Sequence, residues 1–177
     1  NKVTDPGQAS PIPLKDITPT ISGGFMNTFN YKFIDLSFNL SYSFGGYSYD
    51  NASYILQDDG YSVISNKSTE QRRRWQKPGD ITDVPRFVYG NKKGGNYNSS
   101  RAIHSTDHIR LKSLILGLNA PKAWLQKLGI GNARIYFSGT NLLTWAAYDQ
   151  YDPEMSGVVG FYTPPLKTYA FGLELKF

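Results

Sequence analysis

The chain has 177 residues, a length that suits one ordinary domain of a soluble or a membrane protein. Its mean hydropathy is negative, and no stretch approaches the roughly 20 apolar residues that a membrane-spanning helix needs, so a helical membrane protein is excluded. The net charge of +5 is too modest to indicate nucleic-acid binding.

The start of the chain and its cysteine content say little about location. The first residues contain neither a starting Met nor an apolar run, so we expect an exported protein here to be mature or a fragment. The absence of cysteine fits a protein that crosses an oxidising compartment without disulfides, but it also fits a cytosolic one.

Five segments alternate apolar and polar residues with a period of two, which predicts strands with one apolar face. The content of 13 Tyr and 10 Phe also favours strands, in which aromatic residues are enriched. The predicted strands are, in chain order, residues 19–29, 34–45, 107–118, 132–144 and 166–177.

The third predicted strand changes its frame part-way along. Ile109 and Leu111 alternate in one frame, and Leu114 and Leu116 continue in the other. One extra residue near Lys112 or Ser113 reconciles the two, so we predict a β-bulge there.

Strand length and chemistry indicate the class of sheet. Soluble strands usually run to about 5–6 residues, whereas tilted transmembrane strands need about 9–11. The polar faces carry Ser, Asn, Thr and Gly rather than many Lys and Glu. We therefore predict an all-β protein, a transmembrane antiparallel β-barrel of which this chain forms about the last five strands.

The connections alternate in length. Residues 46–106 and 145–165 form long loops, whereas the links 30–33 and 120–131 are short, and residues 123–129 could form one or two helical turns. Outer-membrane barrels have long extracellular loops and short periplasmic turns. We therefore expect an outer-membrane protein with a periplasmic C-terminus.

Aromatic residues cluster where the membrane interfaces are expected. Amphipathic rings favour that depth because they are partly apolar and partly wet. The predicted interface aromatics are Tyr31, Tyr42, Phe44, Trp124 and Trp145.

Six segments of the chain form a series with a recognisable order: Arg74–Arg86, Asn98–Arg101, Ile109–Gly117, Arg134–Trp145, Tyr151–Glu154 and Thr168–Phe177. Together and in this order they resemble the C-terminal part of SusC/RagA-type TonB-dependent outer-membrane transporters. The family usually has a Tyr where this sequence has His108.

The resemblance implies a large barrel closed around an N-terminal plug, and the plug domain is absent from these 177 residues. It implies active import of oligosaccharides or peptides. The implied partners are a SusD-like surface lipoprotein, the rest of the same transporter, the TonB complex acting through the missing N-terminal part, and outer-membrane lipid. Neither a cofactor nor a nucleic acid is implied.

The last strand resembles the signal that the barrel-assembly machinery reads. Burial of the same residues against lipid is compatible with that role. The predicted signal residues are Tyr169, Phe171, Leu173, Leu175 and Phe177.

No metal or catalytic site is predicted. His104 and His108 are spaced for a metal only on a helix, and a loop rigidified by Pro153 explains Asp149, Asp152 and Glu154 better than calcium does. Arg72–Arg74 is shorter than the basic runs of about 5–8 residues that indicate nucleic-acid binding, and the adjacent Asp58 and Asp59 would point apart on a strand, so neither predicts a site. The loop aromatics could stack on sugar rings or simply pack within the loop, and both interpretations stay open for Tyr54, Tyr61 and Tyr97.

Two rival interpretations remain open. A secreted β-sandwich that binds carbohydrate would also show alternating strands. An outer-membrane enzyme barrel would need a nucleophile and a base, and two His without a nearby Ser/Asp pattern argue against it.

Overall fold

In this computed structural model the described residues are 15–91, 100–127 and 129–177. They divide into two compact units. The first is made of the described residues of Asn1–Thr18 and Tyr47–Ser105, together with Met155–Tyr162; we call it the loop unit. The second, Pro19–Gly46, Thr106–Glu154 and Thr163–Phe177, holds a sheet that we call the long sheet.

Five of the eight strands, which are numbered in chain order, form the long sheet; β3, β4 and β7 belong to the loop unit. The bounds of the five are Ile21–Tyr31 for β1, Ile34–Phe44 for β2, His108–Asn119 for β5, Asn132–Ala146 for β6 and Thr168–Lys176 for β8. They have 9 to 15 residues, which includes the length of tilted transmembrane strands. Their order across the sheet is β1-β2-β5-β6-β8, and all pairs are antiparallel.

Successive side chains of each strand point to opposite faces of the long sheet, so every second residue lies on the same face. Phe38 lies opposite Leu114 across the β2–β5 pair, while Leu116 lies opposite Phe137 across the β5–β6 pair. Phe137 in turn lies opposite Phe171. The apolar residues therefore form one continuous face, and the Ser, Asn and Thr residues form the other.

The predicted β-bulge is confirmed. Asn39 pairs with Ser113 and Leu40 pairs with Leu111, so Lys112 is the extra residue of β5. The next strand compensates with an irregularity of its own, because Ser113 pairs with Thr140 while Leu111 pairs with Leu143. Within that irregularity Asn141 adopts a positive φ of 51°. The bulge keeps Leu111 and Leu114 on the same face of the sheet.

The short connections are formed by turns. Tyr31 and Ile34 are the last pair of β1 and β2, and Lys32 between them adopts a φ of 54°. Between β5 and β6, the single-turn helix α2 (Lys122–Gln126) is followed by Gly129 at a φ of 67°. A glycine is suited to that left-handed position because it has no Cβ to clash with the backbone.

The loop unit has secondary structure of its own, which the sequence did not reveal. Its three-stranded sheet has the order β4-β3-β7, with β3 antiparallel to β4 and parallel to β7. A short helix, α1, follows β3 directly, and Asp50 caps it by accepting a hydrogen bond from the Ser53 amide. The bounds are Tyr47–Asp50 for β3, Asn51–Leu56 for α1, Ile103–Ser105 for β4 and Gly157–Val159 for β7, with 3-10 turns at Thr69–Arg73 and Ser100–Ala102.

Among the described residues no helix has the length and apolar character to cross a membrane.

Gly117 of β5 gives a first test of the polar face. A Cβ at this position would overlap the Asp35 carboxylate and the Arg134 guanidinium, which lie on either side of it. We expect Gly117→Ala to lower the free energy of unfolding by about 1–3 kcal/mol, because overpacking forces both side chains to move. The check is a double-mutant cycle in the full-length protein: the cost should shrink in an Asp35→Ala/Arg134→Ala background, and an equal cost in both backgrounds would contradict the explanation.

Candidate functional site

The apolar face of the long sheet is exposed within the chain. Phe171 is 81% exposed, although its ring lies 5.3 Å from that of Phe137. The other apolar-face side chains with large exposed fractions are Ile21, Phe25, Phe29, Tyr31, Phe44, Ile109, Leu116, Leu118, Ile135, Leu143, Trp145, Tyr169, Leu173 and Leu175. A soluble sandwich would cover such a face with a second sheet, whereas an exposed apolar face of this kind suits contact with lipid.

The polar face carries an ion-pair network near the short turns. Arg134 donates from Nη2 to Asp35 Oδ2 at 2.6 Å and from Nε to Asp35 Oδ1 at 3.2 Å, so the pair is bidentate. Its Nη1 lies 3.3 Å from Glu174 Oε1, and Asn119 donates to Asp35 Oδ1 at 2.8 Å. The network links β2, β5, β6 and β8, and bidentate geometry makes such pairs more specific than a simple charge contact.

A second group of charges lies near the other end of β5. It consists of His108, Arg110 and Lys112 of β5 and of Asp152 and Glu154 from the connection that follows β6; we call it the Arg110 cluster. Arg110 donates to Asp152 Oδ2 at 2.7 Å and to Glu154 Oε2 at 3.0 Å. Lys112 Nζ lies 2.5 Å from Glu154 Oε1.

The core of the Arg110 cluster is buried. The side chain of Arg110 is 3% exposed and that of Asp152 is 6% exposed. His108, 5% exposed, has its Nδ1 2.8 Å from the Thr106 carbonyl and its Nε2 3.7 Å from Glu154 Oε1. Buried charges are costly unless they are paired, so this pairing is what allows Arg110 to lie inside the protein.

Sequence reasoning missed both charge groups. The available signal was the presence of Asp35, Arg110 and Arg134 within segments whose polar positions are otherwise small and mostly uncharged. Their partners lie 40 or more residues away in the chain. Only the register of the strands brings such distant residues together, and a single sequence does not supply it.

Residues predicted as membrane-interface aromatics and as the assembly signal stay predictions. Tyr42 and Phe44 lie together near the end of β2, with ring centroids 6.0 Å apart, and Trp145 lies near the end of β6. Tyr31 ends β1 and Trp124 lies in α2, and both are exposed. Tyr169, Phe171, Leu173 and Leu175 lie on the apolar face of β8, and Phe177 follows it with an exposed side chain.

The other candidate residues have structural contacts in the chain. Among the described residues no group of three or more His, Cys, Asp or Glu could hold a metal ion. His104 lies in β4 of the loop unit, where burial lowers the pKa of its imidazole and nearby Asp50 opposes that shift. Asp149 accepts a hydrogen bond from the Gln150 side chain.

Most of the acidic, basic and aromatic candidates of the loop unit also have contacts, while Arg72 and Tyr61 have exposed side chains. Asp58 accepts from the Gly60 amide and pairs with Lys67, and Asp59 accepts from Asn91. Tyr97 lies outside the described residues. The remaining contacts are those of Arg73 with Glu70 and Asp83, of Arg74 with the Gln71 carbonyl, and of the Tyr54 ring with Tyr49.

The chain is similar in sequence and in fold to known TonB-dependent receptors and transporters. TonB-dependent receptor P3 of Formosa agariphila is 31% identical over 92% of the chain, and TonB-dependent receptor P26 of the same organism is 33% identical over 78% of it. The RagAB peptide transporter structure matches with a TM-score of 0.79 at 28% identity, and the RagAB peptide importer in its closed-closed state matches with 0.77 at 29%. The chain belongs to the TonB-dependent receptors of the SusC/RagA type. No family model matches it.

The chain corresponds to a part of such a receptor. It spans 17% of the length of receptor P3 and 18% of the matching RagAB chains, while 92% of its own residues are covered. The expected fold class is therefore confirmed: the long sheet is antiparallel, and its fold matches that of the RagAB transporter. The soluble sandwich is disfavoured by this match and by the exposed apolar face.

Proposed function

We propose that this chain is part of an outer-membrane TonB-dependent importer of oligosaccharides or peptides that works with a SusD-like surface lipoprotein. The observation that supports the proposal best is the long sheet, because its apolar face is exposed and its fold matches that of the RagAB importer. We assign no catalytic step to the chain.

We place the long connections outside the cell and the C-terminus in the periplasm. The support is the contrast between the two-residue turn from β1 to β2 and the connection of more than 60 residues from β2 to β5, since outer-membrane barrels have short periplasmic turns. In this orientation the polar face lines the barrel interior, the remaining strands and the plug come from the rest of the transporter, and the TonB complex acts through that part.

We also propose that the end of β8, with Phe177, is read by the barrel-assembly machinery. The exposed aromatic alternation of this strand supports the assignment. The same residues face lipid once the barrel has formed, so the two roles are compatible.

Uptake experiments test the proposed function. A strain that lacks the gene should fail to grow on one class of polymer, oligosaccharides or peptides, while it grows normally on the matching monosaccharides or free amino acids. Loss of the TonB complex should have the same effect on the parent strain, and the gene supplied on a plasmid should restore growth.

Two outcomes would overturn the proposal. One is a deletion strain that grows like its parent on every glycan and peptide tested. The other is a protein that is soluble and folded without detergent and shows no heat-dependent shift on a gel, because a membrane barrel needs lipid or detergent around its apolar face; that result would favour the secreted carbohydrate-binding module.

A further inference from the structure

The segment that follows β6 turns back towards the long sheet. The paired part of β6 ends at Ala146, opposite His108, and the Ala147 amide donates to the Asp107 carbonyl at 2.9 Å. Beyond this point the chain runs through Tyr148 and Tyr151, whose rings lie 5.2 Å apart, to Asp152 and Glu154. We call residues 147–154 the strap.

The strap is attached to β5 by ion pairs. Asp152 binds Arg110, and Glu154 binds both Arg110 and Lys112. The two carboxylates are held in position relative to one another, because the Glu154 amide donates to Asp152 Oδ1 at 2.9 Å across Pro153. The end of the strap is thus a rigid pair of carboxylates placed on two cations of the sheet.

One N–H donor of Arg110 makes no hydrogen bond within the described residues. Its Nε is buried and has no acceptor among the described residues, and the same is true of the Ser41 hydroxyl, which lies opposite it in the β2–β5 pair. A guanidinium can donate five hydrogen bonds. The strap therefore satisfies Arg110 incompletely, and Arg110 and Ser41 can take another acceptor when the strap moves.

The position of Arg110 determines what the strap covers. Arg110 lies on the polar face, in line with Ser41 of β2 and Thr144 of β6. Under the proposed function that face lines the interior of the barrel. A segment that is attached to it crosses the route that a substrate takes.

We propose that residues 147–154 form an electrostatic strap that closes over the interior face at Arg110 and that must detach from Arg110 and Lys112 for substrate to pass. The inference rests on the proposed import function. Detachment exposes charges of both signs to water, which offsets the lost Coulomb attraction because hydration stabilises ions that were buried. The ladder bonds of β5 and β6 stay intact, so the sheet is not broken when the strap moves.

A cleavable cross-link tests whether the strap has to move. In the full-length transporter, Lys112→Cys and Glu154→Cys are combined, which removes the Lys112–Glu154 and Arg110–Glu154 pairs and leaves the Arg110–Asp152 pair in place. These 177 residues contain no cysteine; cysteines elsewhere in the transporter are replaced first. A bis-maleimide with an internal disulfide joins the two thiols, and peptide mass analysis measures the joined fraction.

The expected result is a loss of polymer uptake in proportion to the joined fraction, with recovery when a reductant cleaves the linker. The matched control joins Thr28→Cys to Ser37→Cys, which face each other on β1 and β2 with their hydroxyls 3.2 Å apart. That link lies within the ladder and should leave uptake unchanged.

Uptake that persists when residues 112 and 154 are fully joined would overturn the strap, since the segment would then be a fixed clamp. This outcome leaves the import function intact. If the parent protein and the reduced double variant both failed to support polymer uptake in the strain that lacks the gene, the import function itself would fail. The two failures are therefore distinguishable.

Discussion

Arg110→Met in the full-length transporter is expected to loosen the attachment of residues 147–154 to the long sheet. The substitution removes the cation from the buried side chain that binds Asp152 and Glu154. Breaking a buried ion pair by removing one partner costs about 3–5 kcal/mol, because the remaining charge is left unpaired. The backbone amides of the segment should then exchange with solvent roughly 100- to 4000-fold faster, at about 1.4 kcal/mol per factor of ten.

Two further variants test whether the faster exchange in Arg110→Met is caused by loss of the buried ion pairs. Arg110→Met/Asp152→Leu should recover much of the lost protection, because an apolar pair leaves no unpaired charge at that position, while Glu154 keeps its contact with Lys112. Arg73→Ala in the loop unit should have little effect, since both partners of the Arg73–Glu70 pair are largely exposed and such pairs contribute about 0–1 kcal/mol. Unchanged exchange in Arg110→Met would show that the ion pairs do not hold the segment.

The long strands were predictable from the sequence because their periodicity is a local property. From Ile34 to Phe44 no residue breaks the alternation, and one sheet face needs nothing else to be recognised. The bulge was also local: two frames of Leu residues met at Lys112, and the structure places the extra residue there.

The loop unit and the charge clusters could not be predicted in the same way. The strands of the loop unit, β3, β4 and β7, have 4, 3 and 3 residues. They are too short for an alternation with a period of two to be recognised. β3 also pairs with β7 in parallel across more than 100 residues of sequence. The Arg110 cluster depends on a similar long-range return of the chain, so its composition was visible but its assembly was not.

The apolar face gives the second large prediction. Phe137 lies in the middle of the long sheet between Leu116 and Phe171. In a lipid-facing position, Phe137→Lys should lower the free energy of unfolding by about 2–4 kcal/mol, the cost of a cation near the bilayer midplane. The measurement is a guanidinium titration of the full-length transporter in lipid vesicles, together with the fraction of protein that shows the heat-dependent gel shift.

If the apolar face contacts lipid, the stability cost of a lysine should depend both on the face of the sheet and on the depth in the bilayer. Thr140→Lys places the same cation on the polar face of the same strand, where Thr140 is exposed and lies opposite Ser113 and Thr168, and it should be tolerated. Ala133→Lys lies on the apolar face near the start of β6, where a cation costs about 0–1 kcal/mol because its side chain reaches the interface. A protein core would penalise both apolar-face positions without regard to membrane depth, so equal losses at Ala133 and Phe137 would argue for a buried core, whereas a steep difference between them requires a bilayer.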